Sequence, residues 1–249
     1  MLPVDNAEIL PLLFHFNSEP WQNQKAYTDP SNEGRFDMPD NSLQTVPLPR
    51  SDTGSVLTPL FEQRRSCRSF EPRPLPLSVV SGILAGAYGV TGINPISSSA
   101  PICARPVPSA GGLYPLVIYL MLQSIDGAAD GLYRYNPLHH FLELIRTGPT
   151  TREVTPFLNE QPFMEGANVL CFITADFDRT LKKYGPRGYR YLLLEAGHCG
   201  QNICLLAAEN DLGALCAGGF LDRGLNKFIG LENHEYTLYG VAVGHRARG

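Results

Sequence analysis

The chain has 249 residues, of which 43% are hydrophobic, a composition typical of a globular protein with a substantial core. Its net charge of -4 at pH 7 provides no overall basic field, so we expect no nucleic acid partner. Residues 1–5 lack the basic region of a signal peptide, and the longest apolar run, residues 116–122, is too short to span a bilayer; we expect a soluble protein without a membrane partner.

The first 55 residues differ in character from the rest of the chain. An apolar patch at residues 9–14 is compatible with a docked short helix or strand. The stretch that follows, up to about residue 55, is polar and rich in proline, which excludes a long helix. We therefore predict an extended N-terminal arm over residues 1–55 and one compact domain over residues 56–249.

Apolar periodicity and turn residues predict the elements of that domain. In chain order they are a helix over 78–89, a buried strand over 114–123, two paired strands over 131–135 and 140–145, a partly helical segment over 152–166, a buried strand over 168–175, the longest helix over 189–211, a strand and turn over 214–219, a helix over 222–229 and a closing strand over 236–244. Helices and strands do not strictly alternate, which favours an α+β sandwich over a doubly wound sheet. Neither a dinucleotide fingerprint nor a Walker loop is present.

The cysteines indicate a reduced protein rather than a disulfide or metal protein. None of the six forms a Cys-x-x-Cys pair, so we expect buried thiols and a cytoplasmic location. Glu195 and His198 lie close in sequence to Cys199 and Cys204. Neighbouring helix positions diverge by about 100°, however, so we predict no metal site.

Lys183 and Tyr184 are the candidate catalytic residues. The sequence places them in a loop with Gly185 and Pro186, just before the longest predicted helix. An amine beside a phenol is a pair that can move protons. A basic, solvated turn before a core helix is the alternative interpretation.

Arginines at both ends of the compact domain are candidate phosphate ligands. Arg64, Arg65, Ser66 and Arg68 place three guanidinium groups and a hydroxyl in a short segment. Taken alone, this segment is as well explained by an exposed basic loop. Near the other end, Arg246 and Arg248 are two residues apart and could hold the same phosphomonoester from a second direction.

Two glycine turns are candidates for contact with a flat heterocycle. One comprises Pro108, Ser109, Ala110, Gly111 and Gly112, and the other contains Gly218 and Gly219. A tight turn is the default meaning of each. Because glycines bare backbone N–H donors, the two turns together with the arginines predict a pocket for flavin mononucleotide (FMN).

These motifs resemble those of the FMN-dependent nitroreductase superfamily and, within it, of the SagB-type thiazole/oxazole dehydrogenases. The resemblance covers nearly the whole chain from residue 14. The matching segments are Phe14-His15-Phe16-Asn17-Ser18, Arg64-Arg65-Ser66-x-Arg68, Pro108-Ser109-Ala110-Gly111-Gly112-Leu113-Tyr114-Pro115, Gly131-Leu132-Tyr133-Arg134-Tyr135, Lys183-Tyr184-Gly185-x-Arg187-Gly188-Tyr189-Arg190-Tyr191, Leu193-Leu194-Glu195-Ala196-Gly197-His198 and Gln201-Asn202.

The resemblance implies an α+β nitroreductase-like sandwich, with a central mixed sheet of four or five strands flanked by helices. It also implies an intertwined homodimer with FMN at each subunit interface. The first arginine segment would bind phosphate and ribityl, and Ser109, Ala110 and Gly111 would come from the partner subunit. Pro108 and Gln201 also belong to the implied cofactor site, and Gly218 and Gly219 would lie by the ring. Arg246 and Arg248 would complete the phosphate site, although the usual Gly-x-Pro is Gly244-His245-Arg246 in this chain.

The activity implied by the resemblance is the oxidation of thiazoline or oxazoline rings to thiazoles or oxazoles. Lys183 would take the proton, with its pKa depressed by burial or by a cation such as Arg187, while Tyr184 relays the proton or orients the ring. Flavin N5 would take the hydride, and dioxygen would reoxidise the flavin. The substrate would be a peptide or a carrier-bound intermediate, delivered by a cyclising or synthetase partner or bound through the arm. Two alternatives remain: an NAD(P)H-dependent nitro- or quinone reductase, and a non-catalytic scaffold subunit of a biosynthetic complex.

Overall fold

An antiparallel sheet of six strands lies at the centre of the part of the chain that the structure describes. A computed structural model describes residues 9–18, 44, 46–48, 55–94, 102–158, 164–232 and 234–247. The strands are β1 (Leu75–Pro76), β2 (Gly92–Asn94), β3 (Ile102–Ala104), β4 (Leu116–Leu122), β5 (Ile125–Asp126), β6 (Gly131–Asn136), β7 (Phe141–Thr147), β8 (Val169–Asp176), β9 (Gly213–Ala217) and β10 (Glu235–Gly244). The order in the main sheet is β7-β6-β4-β8-β10-β9, while β1 pairs with β5 and β2 with β3.

Seven helices accompany these strands in the described residues. They are α1 (Ile9–Asn17), α2 (Leu57–Gln63), α3 (Leu77–Tyr88), α4 (Thr151–Val154), α5 (Phe177–Tyr184), α6 (Arg187–Glu209) and α7 (Asp222–Ile229). Local residues fix several ends: the carboxylate of Asp176 accepts a hydrogen bond from the Arg179 N–H at the start of α5. Gly230, with φ +84°, ends α7 in the left-handed conformation. No described helix is both long enough and apolar enough to cross a membrane.

The core lies on both faces of the main sheet. On one face, α3 and α6 bury an apolar cluster that includes Ile83, Ala196 and Ile203. On the other face, α7 and the segment around Leu158 and Met164 bury a second cluster. This double coverage explains why β4 and β8 are apolar at nearly every position.

The α+β sandwich is confirmed, but the expected mixed sheet of four or five strands is wrong. The main sheet has six strands, and all five of its pairings are antiparallel. A run of apolar residues shows that both faces of a strand are covered, but it does not report strand direction. Helices cover both faces of this antiparallel sheet, so the apolar pattern usually associated with buried parallel strands arises here in antiparallel strands.

The predicted N-terminal arm lies mostly outside the described residues. Within it, the apolar patch at residues 9–14 forms most of α1, as one of the two expected alternatives. The side chain of His15 on this helix is buried against the compact domain.

Candidate functional site

Lys183 and Tyr184 form the last turn of α5, whereas the sequence placed them in a loop. The chain turns immediately afterwards at Gly185, which has φ +56°, and α6 starts at Arg187. Lys183 is exposed, and its Nζ lies 5.4 Å from the centre of the Tyr184 ring. The Tyr184 ring packs edge-on against Tyr191 in the first turns of α6, at 5.1 Å between centroids. The phenol is therefore fixed by α6, while the amine can move.

Gly111 brings the first glycine turn onto this pair. Gly111 has φ +61°, a left-handed conformation that favours glycine. A Cβ at this position would lie 2.5 Å from Lys183 Nζ and 2.5 Å from Tyr184 Oη. Both polar atoms therefore point at one spot on the backbone of the turn, and the absence of a side chain lets them reach it. This contact is made within one chain; the predicted contribution of Ser109, Ala110 and Gly111 to a partner's cofactor stays a prediction.

A buried polar network supports the turn that contains Gly111. Glu195 of α6 is 3% exposed and accepts a 2.9 Å hydrogen bond from the Tyr88 hydroxyl. The Ser109 hydroxyl also bonds Glu195, while Ser109 Oγ accepts the Tyr114 N–H at 2.9 Å. Arg105 lies 4.3 Å above the Tyr88 ring. Burial raises the pKa of Glu195 above its usual range. The network ties both ends of the turn to α6.

Sequence reasoning missed this network. Glu195 was weighed only as a metal ligand, because its partner Tyr88 is 107 residues away. A glutamate within an otherwise apolar helix segment was the available signal, since buried carboxylates need partners.

The two arginine segments meet at the N-terminal end of β9. Ser66 forms a parallel bridge with Ala214, and Phe70 forms an antiparallel bridge with Arg246. The Arg246 guanidinium donates to the Leu212 carbonyl at 3.0 and 3.2 Å. Within the described residues, no ion pair involves Arg64, Arg65, Arg68 or Arg246. Arg248 lies outside the described residues.

Gly218 and Gly219 follow the opposite end of β9. The five residues of the strand separate them from the arginines by roughly 14 Å, the length of an extended strand of this size. Both glycines line a cavity of about 270 Å³ together with His15, Tyr189 and Asp222. Guanidinium groups at one end of the strand and backbone donors at the other could hold an elongated molecule with a phosphate and a heterocycle, such as FMN.

A pair of thiols that sequence analysis did not single out lies along this strand. Cys204 of α6 and Cys216 of β9 have sulfur atoms 3.4 Å apart. The hydrogen bond from Cys204, together with those from Tyr239 and the charge of Arg64, holds the pKa of Cys216 below its usual range despite partial burial.

Pro108 and Gln201 are exposed, so the structure of one chain does not bring them into the site. Gln201 lies on the exposed side of α6, seven residues beyond Leu194, which is itself 55% exposed. Both residues keep their predicted cofactor roles only as expectations.

Comparison with known proteins identifies the family. The sequence profile of the nitroreductase family matches residues 61–245. This chain belongs to the nitroreductase family. Members of the family are flavin oxidoreductases.

Relatives of this nitroreductase-family chain include a protein named as a nitroreductase and one named for microcin B17 processing. It is 34% identical to MJ1384 of Methanocaldococcus jannaschii, a protein named as a nitroreductase, over 74% of this chain and 88% of that one. It is 32% identical to the microcin B17-processing protein McbC of Escherichia coli, over 56% of this chain but only 54% of McbC. The chain thus aligns with about half the length of that relative.

A solved structure confirms the fold over almost the whole chain. The Escherichia coli microcin synthetase McbBCD complex with truncated pro-MccB17 bound contains a chain that matches with a TM-score of 0.78. The match covers 98% of this chain and 94% of that one, at 19% identity. Beyond the residues of the family profile, the likeness therefore includes the region of α1.

Proposed function

We propose that this protein is an FMN-dependent dehydrogenase that oxidises thiazoline or oxazoline rings of a peptide natural product to thiazoles or oxazoles. The observation that carries the proposal is the meeting of Lys183 Nζ and Tyr184 Oη over Gly111. Since each atom is 2.5 Å from the same point, the two lie at most about 5 Å apart. A substrate C–H group placed over the turn would be within reach of both.

The described residues fit FMN. Arg64, Ser66 and Arg246 would hold its phosphate, and the turn at Gly218 and Gly219 would present backbone donors to its ring. When bound, FMN supplies a hydride acceptor at N5. The described part of the chain contains no metal-ligating cluster of three or more residues.

The chain itself would supply the proton chemistry. Lys183, in its neutral form, would take the ring proton at Nζ, and Tyr184, fixed by its edge contact with Tyr191, would orient the ring or pass the proton on. Lys183 is exposed in the single chain, so bound cofactor and substrate would provide the burial that the sequence analysis expected. The network of Glu195 and Tyr88 would keep the turn at Gly111 in register with the pair.

Two relatives support a peptide substrate and a biosynthetic partner. McbC and the trifolitoxin-processing protein TfxB of Rhizobium leguminosarum bv. trifolii are both named for processing peptides. The McbBCD structure holds a truncated precursor, pro-MccB17. By analogy, this chain would act on an azoline in a peptide or carrier-bound chain, together with a cyclising or synthetase partner.

An intertwined homodimer is part of the proposal. The outer faces of α2 and α6 expose several large apolar side chains, and the most exposed of them are Phe61 (54%) and Leu194 (55%). These two helices contact each other, so their apolar side chains offer a surface for a second copy. We expect sedimentation analysis to give the mass of a dimer and Leu194→Arg to shift it towards the monomer. A monomeric wild type would contradict this part of the proposal.

A nitro- or quinone reductase is the second candidate, favoured by the 34% identity to MJ1384. Anaerobic mixing separates the two functions: the FMN-loaded protein is mixed with a thiazoline-bearing peptide and, separately, with NADPH, and the loss of visible flavin absorption is followed. Loss of flavin absorption with the peptide but not with NADPH supports azoline oxidation. Loss of flavin absorption with NADPH but not with the peptide supports the reductase.

Lys183→Ala tests the assignment of the base, and Lys182→Ala is its matched control. Lys182 precedes it on the same helix and forms an exposed ion pair with Asp178 at 2.9 Å. Lys183→Ala should keep FMN bound and slow peptide oxidation by roughly 10²–10⁴-fold, the usual contribution of a positioned base. Lys182→Ala should oxidise at the wild-type rate. Wild-type turnover by Lys183→Ala would contradict the role of Lys183 as the base. A wild-type protein that oxidises no substrate would support the scaffold alternative.

A further inference from the structure

A cavity opens where strands β4 and β6 separate. The two strands pair only from Tyr119 to Leu122 of β4, opposite residues 131–134 of β6. The first three residues of β4 and the last two of β6 are therefore not paired with each other, although β4 stays paired with β8 along its whole length. The gap between them forms part of a cavity of about 310 Å³. This volume is in the range of small-molecule sites in proteins.

Three arginines from separate segments line this cavity. Arg105 follows β3, Arg134 lies in β6 and Arg179 lies in α5. Glu143 of β7 is the one carboxylate among the described lining residues, so the lining carries a net charge of +2 in a chain whose net charge is -4. No ion pair within the described residues involves any of the three guanidinium groups. Guanidinium groups gathered in one cavity without ion-pair partners favour an anionic ligand.

Arg105 is held in a fixed orientation. Its guanidinium carbon lies 4.3 Å from the centre of the Tyr88 ring and 5.2 Å from that of Tyr114, and its Nη1 donates to the Tyr88 carbonyl at 3.1 Å. The Tyr88 hydroxyl is itself fixed, because it accepts the Leu116 N–H at 3.1 Å and donates to Glu195. The Glu195 carboxyl is thus engaged behind the tyrosine, and it does not line the cavity. A guanidinium fixed in this way loses little side-chain entropy on binding and presents a planar fork.

The planar fork and the single carboxylate in the lining favour one kind of anion. The two oxygens of a carboxylate lie in one plane and match two parallel N–H groups of a guanidinium. Glu143 lies opposite Arg134 in the pairing of β6 with β7, and its charge opposes the second negative charge of a phosphate monoester. A carboxylate carries one charge and meets less of this repulsion. The lining therefore favours a carboxylate over a phosphate.

The cavity adjoins the turn that Lys183 contacts. Arg179 lies four residues before Lys183 on α5, so the two side chains are neighbours on one face of the helix. Tyr114 lines the cavity, and its N–H is held by Ser109 Oγ, two residues before Gly111. A peptide whose azoline lies over Gly111 can therefore reach the cavity with a group next to the ring.

We infer that this cavity binds a carboxylate of the substrate peptide, close to the azoline ring being oxidised. Arg105 and Arg179 would bind the carboxylate, and Arg134 would add to the positive charge around it. The inference rests on the proposed function, because it takes the ligand to be the peptide whose azoline lies over Gly111. It gives a role to arginines for which the proposed function has none. Peptides with an acidic side chain or a chain end close to the ring would then be preferred substrates.

Calorimetric titration of the FMN-loaded protein tests this site without turnover. The probes are thiazole peptides capped at both ends, with glutamate on one or the other side of the ring, and the same peptides with glutamine in place of glutamate. A third probe has glutamine beside the ring and a free C-terminal carboxylate. Arg134→Gln and Arg179→Gln remove the charge of exposed side chains, so both should fold, with thermal melting as the check. Arg152→Gln is the matched control, because Arg152 is an exposed arginine of α4 that does not line the cavity.

We expect the wild type to bind a glutamate peptide about 10- to 100-fold more tightly than its glutamine counterpart, the effect of hydrogen bonds to a charged group. Arg134→Gln and Arg179→Gln should each weaken the glutamate peptide by about 10-fold and leave the affinities for the glutamine peptide and for FMN unchanged. Arg152→Gln should equal the wild type in every affinity. Added NaCl should reduce the preference for glutamate. Tight binding of the third probe would support the site and identify the chain end as a source of the carboxylate.

Four results would overturn the inference. The first is that neither glutamate nor a free C-terminal carboxylate raises the affinity of the wild type. The second is that both variants keep the full preference for the carboxylate. The third is an equal loss of affinity for the glutamate and glutamine peptides, which would show general damage to the pocket. The fourth is a loss of FMN affinity in either variant, which would assign these arginines to the cofactor. If the arginines bind the carboxylate but the thiazoline form of the same peptide is not oxidised, the proposed function fails while the carboxylate site stands.

Discussion

Replacing Gly111 with alanine adds a single methyl group at the point where Lys183 and Tyr184 converge. The new Cβ would lie 2.5 Å from both Lys183 Nζ and Tyr184 Oη. Ordinary contact begins near 3.5 Å, so both atoms would have to retreat by roughly 1 Å. A displacement of about 1 Å in a catalytic constellation can reduce the rate by about 10²-fold. We therefore expect Gly111→Ala to lower turnover at saturating FMN by about that factor.

The same substitution also strains the backbone, and this effect has to be separated. Alanine in a left-handed conformation costs about 1–2 kcal/mol, which corresponds to a fall in Tm of roughly 2–8 °C for a domain of this size. Gly230→Ala is the matched control, because Gly230 also has a positive φ, +84°, but no atom lies within 4 Å of the added Cβ. Both variants should melt at similarly lowered temperatures, since Lys183 is exposed and moves at little cost.

The assay measures oxidation of a thiazoline peptide by both variants, with thermal melting in parallel. Only Gly111→Ala should lose turnover. Equal activity of the two variants would refute the reasoning, because it would show that the convergence of amine and phenol on Gly111 has no part in the reaction.

Three further predictions concern Glu195, the Cys204–Cys216 pair and Arg64. Burial raises the folded-state pKa of Glu195, so the stability that this residue contributes is complete below the ordinary glutamate pKa of about 4.3 and is lost as pH rises through the folded-state pKa. In melts at several pH values, the Tm of Glu195→Gln relative to that of the wild type should therefore increase as pH rises over this window. A difference in Tm that stays constant with pH would contradict this. With sulfur atoms 3.4 Å apart, Cys204 and Cys216 should form an intramolecular disulfide with diamide, seen by mass spectrometry as a loss of two hydrogens; a persistent dithiol in the wild type would count against it. Arg64→Ala should weaken FMN by about 10- to 100-fold but leave riboflavin, which has no phosphate, unaffected in fluorescence titrations; equal loss of both would place Arg64 elsewhere.

Most elements could be predicted from sequence, because their ends carry local signals. The helix over 222–229 was placed at the observed bounds, since Gly230 stops it, and the closing strand differs by one residue at its start. Helix α5 was missed because its eight residues are mostly charged or polar, which is also the composition of a loop. It is held by the Asp176 cap and by packing on α6, and tertiary packing of this kind leaves little trace in a short sequence.

The parts of the candidate site also differ in how far they could be predicted from the sequence. Arg246 and the second glycine turn could be placed because each adjoins a predicted strand, so the strand itself determines where they lie. The contact of Gly111 with Lys183 joins residues more than seventy positions apart, and that of His15 with Tyr189 joins residues 174 apart. Neither leaves a local pattern, because the meeting depends on how α1, α5 and α6 pack. Residue types were therefore readable in advance, whereas their partners were not.

In the proposed function, strand β9 would act as a spacer of fixed length. With arginines at its start and Gly218 just past its end, the distance between the two proposed binding ends equals five residues of pleated backbone, and it can change only in steps of about 3.4 Å. An insertion or deletion of one residue would also turn every following side chain to the opposite face of the sheet. Substitutions can thus change side chains on β9 far more easily than insertions or deletions can change the length of the strand. A cofactor of a different length would require changes in the loops at the two ends of β9.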